Sequence, residues 1–173
     1  MLEAAILVIF PFCMAFAAIS DLLSMTIANR VSLLLVGAFA VIAPLTGMDW
    51  GTYATHFAVA AAVLAITFFL FSIGQMGGGD AKLLTATALW FGFTQVTVHY
   101  LLFTAILGGF LTLAILSLRG SPVAVFAWRV EFLRRIADPQ SGIPYGIALG
   151  MAGLLVFPES PLGIWALAAI AGG

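Results

Sequence analysis

The sequence predicts an all-α integral membrane protein, a polytopic bundle of about six transmembrane helices with its N-terminus outside. Three observations carry that prediction. The 173 residues are 64% hydrophobic and 8% charged, with mean hydropathy +1.21, more apolar surface than a soluble domain can cover with polar groups. The apolar residues gather into runs near 4–20, 31–47, 54–74, 81–93, 97–117 and 143–157, with a further stretch at 161–171. The six basic residues, finally, segregate to alternate connections, the pattern that orients a threaded membrane chain.

Run 4–20 is the first span. No basic segment precedes it and it flows directly into Asp21, which argues against a cleaved signal peptide. Runs 31–47, 54–74 and 97–117 meet or approach the ~17–25 residues needed to cross hydrocarbon, whereas 81–93 and 143–157 are short. With the N-terminus outside, the inner connections are 21–30, 75–82 and 118–142, and these hold Arg30, Lys82, Arg119, Arg129, Arg134 and Arg135. The outer segments carry Glu3, Asp49 and Glu159 and no Lys or Arg. His56 and His99 fall near the outer face, as interfacial or packed residues.

The inner segment 118–142 contains an amphipathic pattern. Val123, Phe126, Val130, Leu133 and Ala137 share one face of a helix that Pro122 would open, while Glu131, Arg134, Arg135 and Asp138 share the other. With Trp128 and Arg129 suited to an interface, it reads either as a helix lying on the cytoplasmic leaflet or as a movable lid. Gly142, Gly146, Gly150 and Gly153 permit close helix approach within the molecule, and Phe68, Phe69 and Phe71 face lipid or core. Residues 1–173 form a single transmembrane domain, with no internal repeat. A net charge of −1 without a basic stripe gives no footprint for nucleic acid. Cys13 is the one cysteine, so neither a disulfide nor a cysteine zinc site is available, and no other metal or cofactor is expected.

Two of the seven acidic residues stand where hydrocarbon gives way to cytoplasm. Asp21 closes the first run, and Asp80 follows Gly77-Gly78-Gly79 and opens the short fourth run. The inferred topology puts both toward the cytoplasmic face. Thirteen residues, 81–93, make about 20 Å of helix, so with their far end at the outer interface near Thr94-Gln95 the Gly-rich loop before them stops ~10 Å inside the slab, where it must be buried by protein or line a water-filled cavity. Ionisable groups at that depth are costly and usually functional. Taken singly, Asp80 reads equally as a helix N-cap and Asp21 as an interfacial marker. As a pair they are what metal-free peptide hydrolysis requires, one carboxylate to activate water and one carboxylic acid to protonate the carbonyl oxygen and leaving nitrogen. Such a dyad titrates as a unit. Gly77 and Gly79 are expected to admit an extended substrate and to take conformations that other residues resist. Lys82 reads as an interfacial anchor or a catalytic group, and Asn29 as a hydrogen-bonding neighbour of the dyad or the end of a turn.

These residues resemble the type IV prepilin peptidases, membrane aspartic peptidases of the GxGD class. Ser20-Asp21 followed by Thr26-Ile27-Ala28-Asn29-Arg30 resembles the family's Asp and downstream Ile-Pro-Asn, with Ala28 where Pro is usual. Gly77-Gly78-Gly79-Asp80-Ala81-Lys82 resembles its Gly-x-Gly-Asp-x-Lys, and Ile143-Pro144-Tyr145-Gly146 the patch that opens its sixth helix. The resemblance runs over roughly 5–157. It implies that Asp21 and Asp80 are the catalytic pair, with Gly77, Gly78, Gly79, Lys82 and Asn29 in support. It also implies that the substrate is a prepilin or pseudopilin, whose short basic leader is removed at the cytoplasmic face of a prokaryotic inner membrane. The size resembles the short peptidases of tight-adherence pilus systems and the archaeal preflagellin peptidases. Because the paired CxxC elements of longer members have no counterpart here, N-methyltransferase activity is not expected. Two other classes fit an intramembrane acid pair less well: a small proton- or cation-coupled transporter component, which needs a path continuing outward, and a scaffold subunit, which leaves the depth of Asp80 without a reason.

Overall fold

The computed structural model describes residues 1–121, 131–138 and 141–172. Helices α1 (Leu2–Ser24), α2 (Asn29–Leu45), α3 (Trp50–Ser72), α4 (Gly78–Phe91) and α5 (Gln95–Arg119) alternate in direction. A short α6 (Glu131–Ala137) follows, then α7 (Tyr145–Val156), a 3-10 turn (Phe157–Glu159) and α8 (Pro161–Ala171). No strand occurs among the described residues. By length and composition α1, α3 and α5 can each cross a membrane, and α7 with α8, bent by 52° at their break, pass together as a fourth crossing. Pro158 and Pro161 explain that bend, since neither can supply the amide that would continue the α7 ladder. The stretch 161–171, without a role in the sequence reading, is thus the second half of a broken helix. Helix α2, with 17 residues, is apolar but shorter than the three candidate spans α1, α3 and α5.

Helix α4 sits at the centre. Ala81, Leu83, Leu84 and every residue from Ala86 to Phe91 are buried, as befits a helix that is apolar on all sides. Its far end is pinned twice. The Trp90 indole N–H donates to the Leu35 carbonyl of α2 at 2.9 Å, and the His56 Nδ1–H of α3 donates to the Leu89 carbonyl at 2.7 Å. Around Trp90 lie Phe10, Phe39 and Phe157, with ring centroids 5.1–6.4 Å away, a spacing at which aromatic pairs attract. His56 is buried and stacked on Phe39, while His99 is exposed, 3.8 Å from Glu159. Asp49 caps α3 by accepting from the Thr52 N–H at 2.9 Å, and the Thr52 hydroxyl and N–H hold its carboxyl below the usual carboxylate range.

Glycines on α7 let it lie against α1. A Cβ on Gly150 would stand 2.7 Å from the Met14 carbonyl oxygen, and one on Gly153 would strike the Met14 methyl. Gly142 takes no part in this seam, having nothing within 4 Å of its Cβ position. The exposed faces carry Phe68, Phe69 and Phe71.

The amphipathic segment expected in 118–142 lies partly outside the described residues: Pro122, Val123, Phe126, Trp128, Arg129 and Val130 are among those not described. Of the remainder, 131–137 is helical, Ala137 is buried, and Arg134 and Arg135 are exposed.

Candidate active site

The site forms where α1 ends and α4 and α7 begin. Met25, at φ 54°, takes the left-handed conformation that terminates α1, and its N–H donates to the Asp21 carbonyl at 2.8 Å. Ser20 donates to the Thr26 carbonyl at 2.9 Å, and the Ser24 and Thr26 hydroxyls meet at 2.8 Å. This braced turn directs Ile27 inward, where it is 9% exposed.

Asp21 is itself buried, 6% exposed. Its Oδ2 accepts the Gly146 N–H at 2.7 Å, one of the amides that the first turn of α7 leaves without an intrahelical partner. The positive end of the α7 dipole favours a carboxylate there. Glycine is required at 146 for space. A Cβ would lie 2.7 Å from Asp21 Cβ, 2.8 Å from Oδ2 and 2.9 Å from Ile27 Cδ1. The start of α7 is held in turn by Arg119, whose guanidinium donates to the carbonyls of Ile136, Ser141 and Gly142 at 2.9–3.0 Å.

Asp80 is half-buried in the first turn of α4 and turns back over the Gly77 amide, the reach-back an acidic residue makes at the third helical position. The Gly-rich loop expected ahead of the fourth helix is therefore shorter than the sequence suggested. Gly77 is the N-cap, and Gly78, Gly79 and Asp80 are already helical. Nor do the three glycines use special conformations, for Gly77 has φ −68° and the positive φ of this turn belongs to Gly74. They serve close approach instead. A Cβ on Gly77 would meet Asp80 Oδ2 at 2.7 Å, one on Gly78 the Phe71 ring at 3.2 Å, and one on Gly79 Ile27 Cβ at 3.1 Å. Ile27 thus separates Gly79, beside Asp80, from Gly146, which holds Asp21. The two carboxylates are near enough for the charge of Asp21 to act on Asp80.

Asp80 opens into a cavity of about 220 Å³ lined by Leu70, Gln75, Met76, Leu84, Thr104, Tyr145 and Leu149. The Tyr145 hydroxyl meets Thr112 at 3.0 Å. Thr112 lies seven residues before α5 ends at Arg119, so the start of α7 is recessed about 10 Å from that end of the bundle.

Lys82 and Asn29 lie elsewhere. Two residues beyond Asp80, Lys82 is rotated ~200° around the helix, and its Nζ donates to Asn29 Oδ1 at 2.9 Å beside a separate groove of about 360 Å³ between α2, α3 and α4. They tie α2 to α4 rather than face the Asp80 cavity. Among the described residues no three His, Cys, Asp or Glu side chains group as metal ligands. Sequence reasoning missed the Gly146 amide, the Ile27 spacer and the Arg119 clamp. The Ile143–Gly146 patch was the one available signal, and glycine there was credited only with packing.

Among known proteins, a family model described as the type IV leader peptidase family matches residues 8–116. No curated protein and no solved structure matches the chain. The matched region covers more than half of the sequence and carries both Asp21 and Asp80. With its apolar helices, this membrane-protein chain belongs to the type IV leader peptidase family, proteases that act on prepilin substrates.

Proposed function

We propose that Asp21 and Asp80 are the acid–base pair of an aspartic prepilin peptidase that needs no metal. The observation that carries this reading is the convergence of two carboxylates, each at a helix N-terminus and within electrostatic reach of the other, beside a recessed cavity at one end of an apolar bundle. The ionised member takes a proton from water as its oxygen attacks the scissile carbonyl carbon. The protonated member gives its proton to the carbonyl oxygen. Collapse of the tetrahedral intermediate breaks the C–N bond, and a proton passes to the leaving nitrogen. The chain crosses the inner membrane six times, counting α2 and α4, with its N-terminus outside and the dyad facing the cytoplasm. This arrangement is supported by Arg30 and Lys82 at the starts of α2 and α4, Arg119 on the carbonyls that precede α7, and Arg135 on the Leu23 carbonyl near the end of α1, all near the end of the bundle where the dyad sits. The substrate is a prepilin of the tight-adherence type, whose short basic leader is cut off before pilus assembly and secretion.

The test is leader removal from a candidate prepilin by the purified, reconstituted protein. Asp21→Ala and Asp80→Ala should each lower kcat by about 10²–10⁴-fold or more while leaving expression and helical content intact. Wild-type-like cleavage by either variant refutes the dyad, and loss of activity on chelation replaces it with a metal held by the carboxylates.

A further inference from the structure

Helix α4 is covered on every side but one. Beyond its first turn only Lys82 and Thr85 reach the surface, and both look into the groove of about 360 Å³ between α2, α3 and α4. That groove lies across α4 from the Asp80 cavity and has no part in the chemistry above.

Its shape is a wedge. At the far end α2 and α3 are fastened together, because the Tyr53 hydroxyl donates to the Ala40 carbonyl at 3.2 Å and the Tyr53 ring stacks on Phe39 with centroids 5.9 Å apart. Otherwise the two helices pack on α4 and hardly on each other, so toward the dyad end the space between them stays open. Leu33, Val36, Leu64 and Ala86 line its body, and Asn29 and Lys82 stand at its mouth. From Asn29 to Val36 the groove follows seven residues of helix, a length of about 10 Å.

The mouth holds donors and lacks an anion. Lys82 is exposed, and its Nζ donates to Asn29 Oδ1 at 2.9 Å. An ammonium has three N–H groups and accepts nothing. Two of its donors therefore stay open, and the Asn29 amide must turn its oxygen to the ammonium and leave its NH2 group over. Among the described residues no carboxylate pairs with Lys82 and no hydrogen bond engages that NH2 group. Arg30, exposed on α2 beside Asn29, adds a second positive charge at this end.

We propose that this groove binds an anionic phospholipid from the leaflet on the dyad side. The phosphodiester sits on the Lys82 ammonium and the Asn29 NH2 group, and the upper part of one acyl chain lies between Leu33, Val36 and Leu64. Basic pockets between membrane helices take anionic heads in this way, whereas a choline or ethanolamine head brings its own cation against Lys82 and Arg30. A substrate helix suits the groove less well. Lys82 is rotated ~200° around α4 from Asp80, so a segment seated there must pass around the buried central helix to reach a carboxylate. The lipid fills the gap that α2 and α3 leave and neutralises Lys82, and it thereby holds three helices together.

The experiment titrates the full-length protein, purified in an uncharged detergent, with dioleoyl phosphatidylglycerol, dioleoyl phosphatidylcholine or inorganic phosphate. Bound lipid is read by native mass spectrometry and Tm by circular dichroism. The wild type should retain phosphatidylglycerol about tenfold better than phosphatidylcholine, the effect of one charge-assisted hydrogen bond, and its Tm should rise with phosphatidylglycerol alone. Lys82→Gln keeps a donor for Asn29 without the charge and should erase the preference. Leu64→Trp fills the groove without altering the mouth and should lower retention of phosphatidylglycerol. Each variant is judged by its lipid preference and by the rise in Tm on adding lipid, so a lower starting Tm does not mask the result. Equal retention of both lipids by the wild type overturns the proposal, as does unchanged retention by Leu64→Trp. A preference that survives Lys82→Gln overturns it too, since another basic residue then selects the head. A Tm rise as large with phosphate alone leaves an anion site without a chain, and displacement of the lipid by stoichiometric prepilin gives the groove to substrate; either result overturns the proposal. No arm reads cleavage, so the outcome does not depend on the dyad.

Discussion

Replacing Gly146 by alanine adds a single methyl group at the most crowded point of the site. The new Cβ would stand 2.7–2.9 Å from Asp21 Cβ, Asp21 Oδ2 and Ile27 Cδ1, whereas carbon atoms settle at about 3.5–4.0 Å. Asp21 and the start of α7 must therefore separate by ~1 Å, enough to break the 2.7 Å bond from the Gly146 amide. Overpacking of this kind costs about 1–3 kcal/mol of stability, and a 1 Å misplacement of a reacting group can cost ~10² in rate. The expected result is a kcat reduced about 100-fold with KM little changed, since the bulk of the substrate contacts stay in place. Gly150→Ala is the matched control. It crowds the same α1–α7 seam, at 2.7 Å from the Met14 carbonyl oxygen and 2.8 Å from Ala18 Cβ, without touching Asp21. Its stability should fall similarly while kcat stays near wild type, and Gly142→Ala, with nothing within 4 Å, should change neither. The assay is leader removal in liposomes, paired with thermal unfolding in detergent. Wild-type kcat in Gly146→Ala, or equal losses in Gly146→Ala and Gly150→Ala, would refute the claim that this amide positions Asp21.

Two further outcomes follow from the placement of α4. Trp90→Phe removes the buried indole donor to Leu35 and leaves that carbonyl unsatisfied, so thermal unfolding should register a loss of about 1–3 kcal/mol with the chemistry itself spared. Lys82→Met should leave most cleavage intact, because the ammonium faces Asn29 and the α2–α3 groove rather than the Asp80 cavity; a loss comparable to that of Asp80→Ala would place Lys82 in the chemistry after all.

The helices were legible because hydropathy is written locally. Each long apolar run became a helix within a few residues of its expected ends. The start of α4 was not legible. Gly77-Gly78-Gly79 has low intrinsic helix propensity, yet the first turn of a helix tolerates glycine where Phe71 and Ile27 press close, and an acidic residue at the third position stabilises it. The pairing of Asp21 and Asp80 at one end could be read from alternation of the spans and from positive charge. Their supports could not. The Gly146 donor and the Ile27 wedge depend on helices that meet only in three dimensions, and Arg119 looked like one more inner-face charge.

The bond from Gly146 to Asp21 joins residues 125 positions apart, and this has a consequence for how the enzyme comes into being. A growing chain carries both carboxylates once α4 has emerged, but Asp21 lacks its donor until α7 is made. At about 5–20 residues per second the interval from Asp80 to Gly146 lasts roughly 3–13 s. During it the unfinished chain holds two acids without the amide that fixes one of them. On the dyad proposed above, proteolytic competence arrives late, with Gly146 and the helix it opens, and a nascent peptidase is silent toward the helices being inserted beside it.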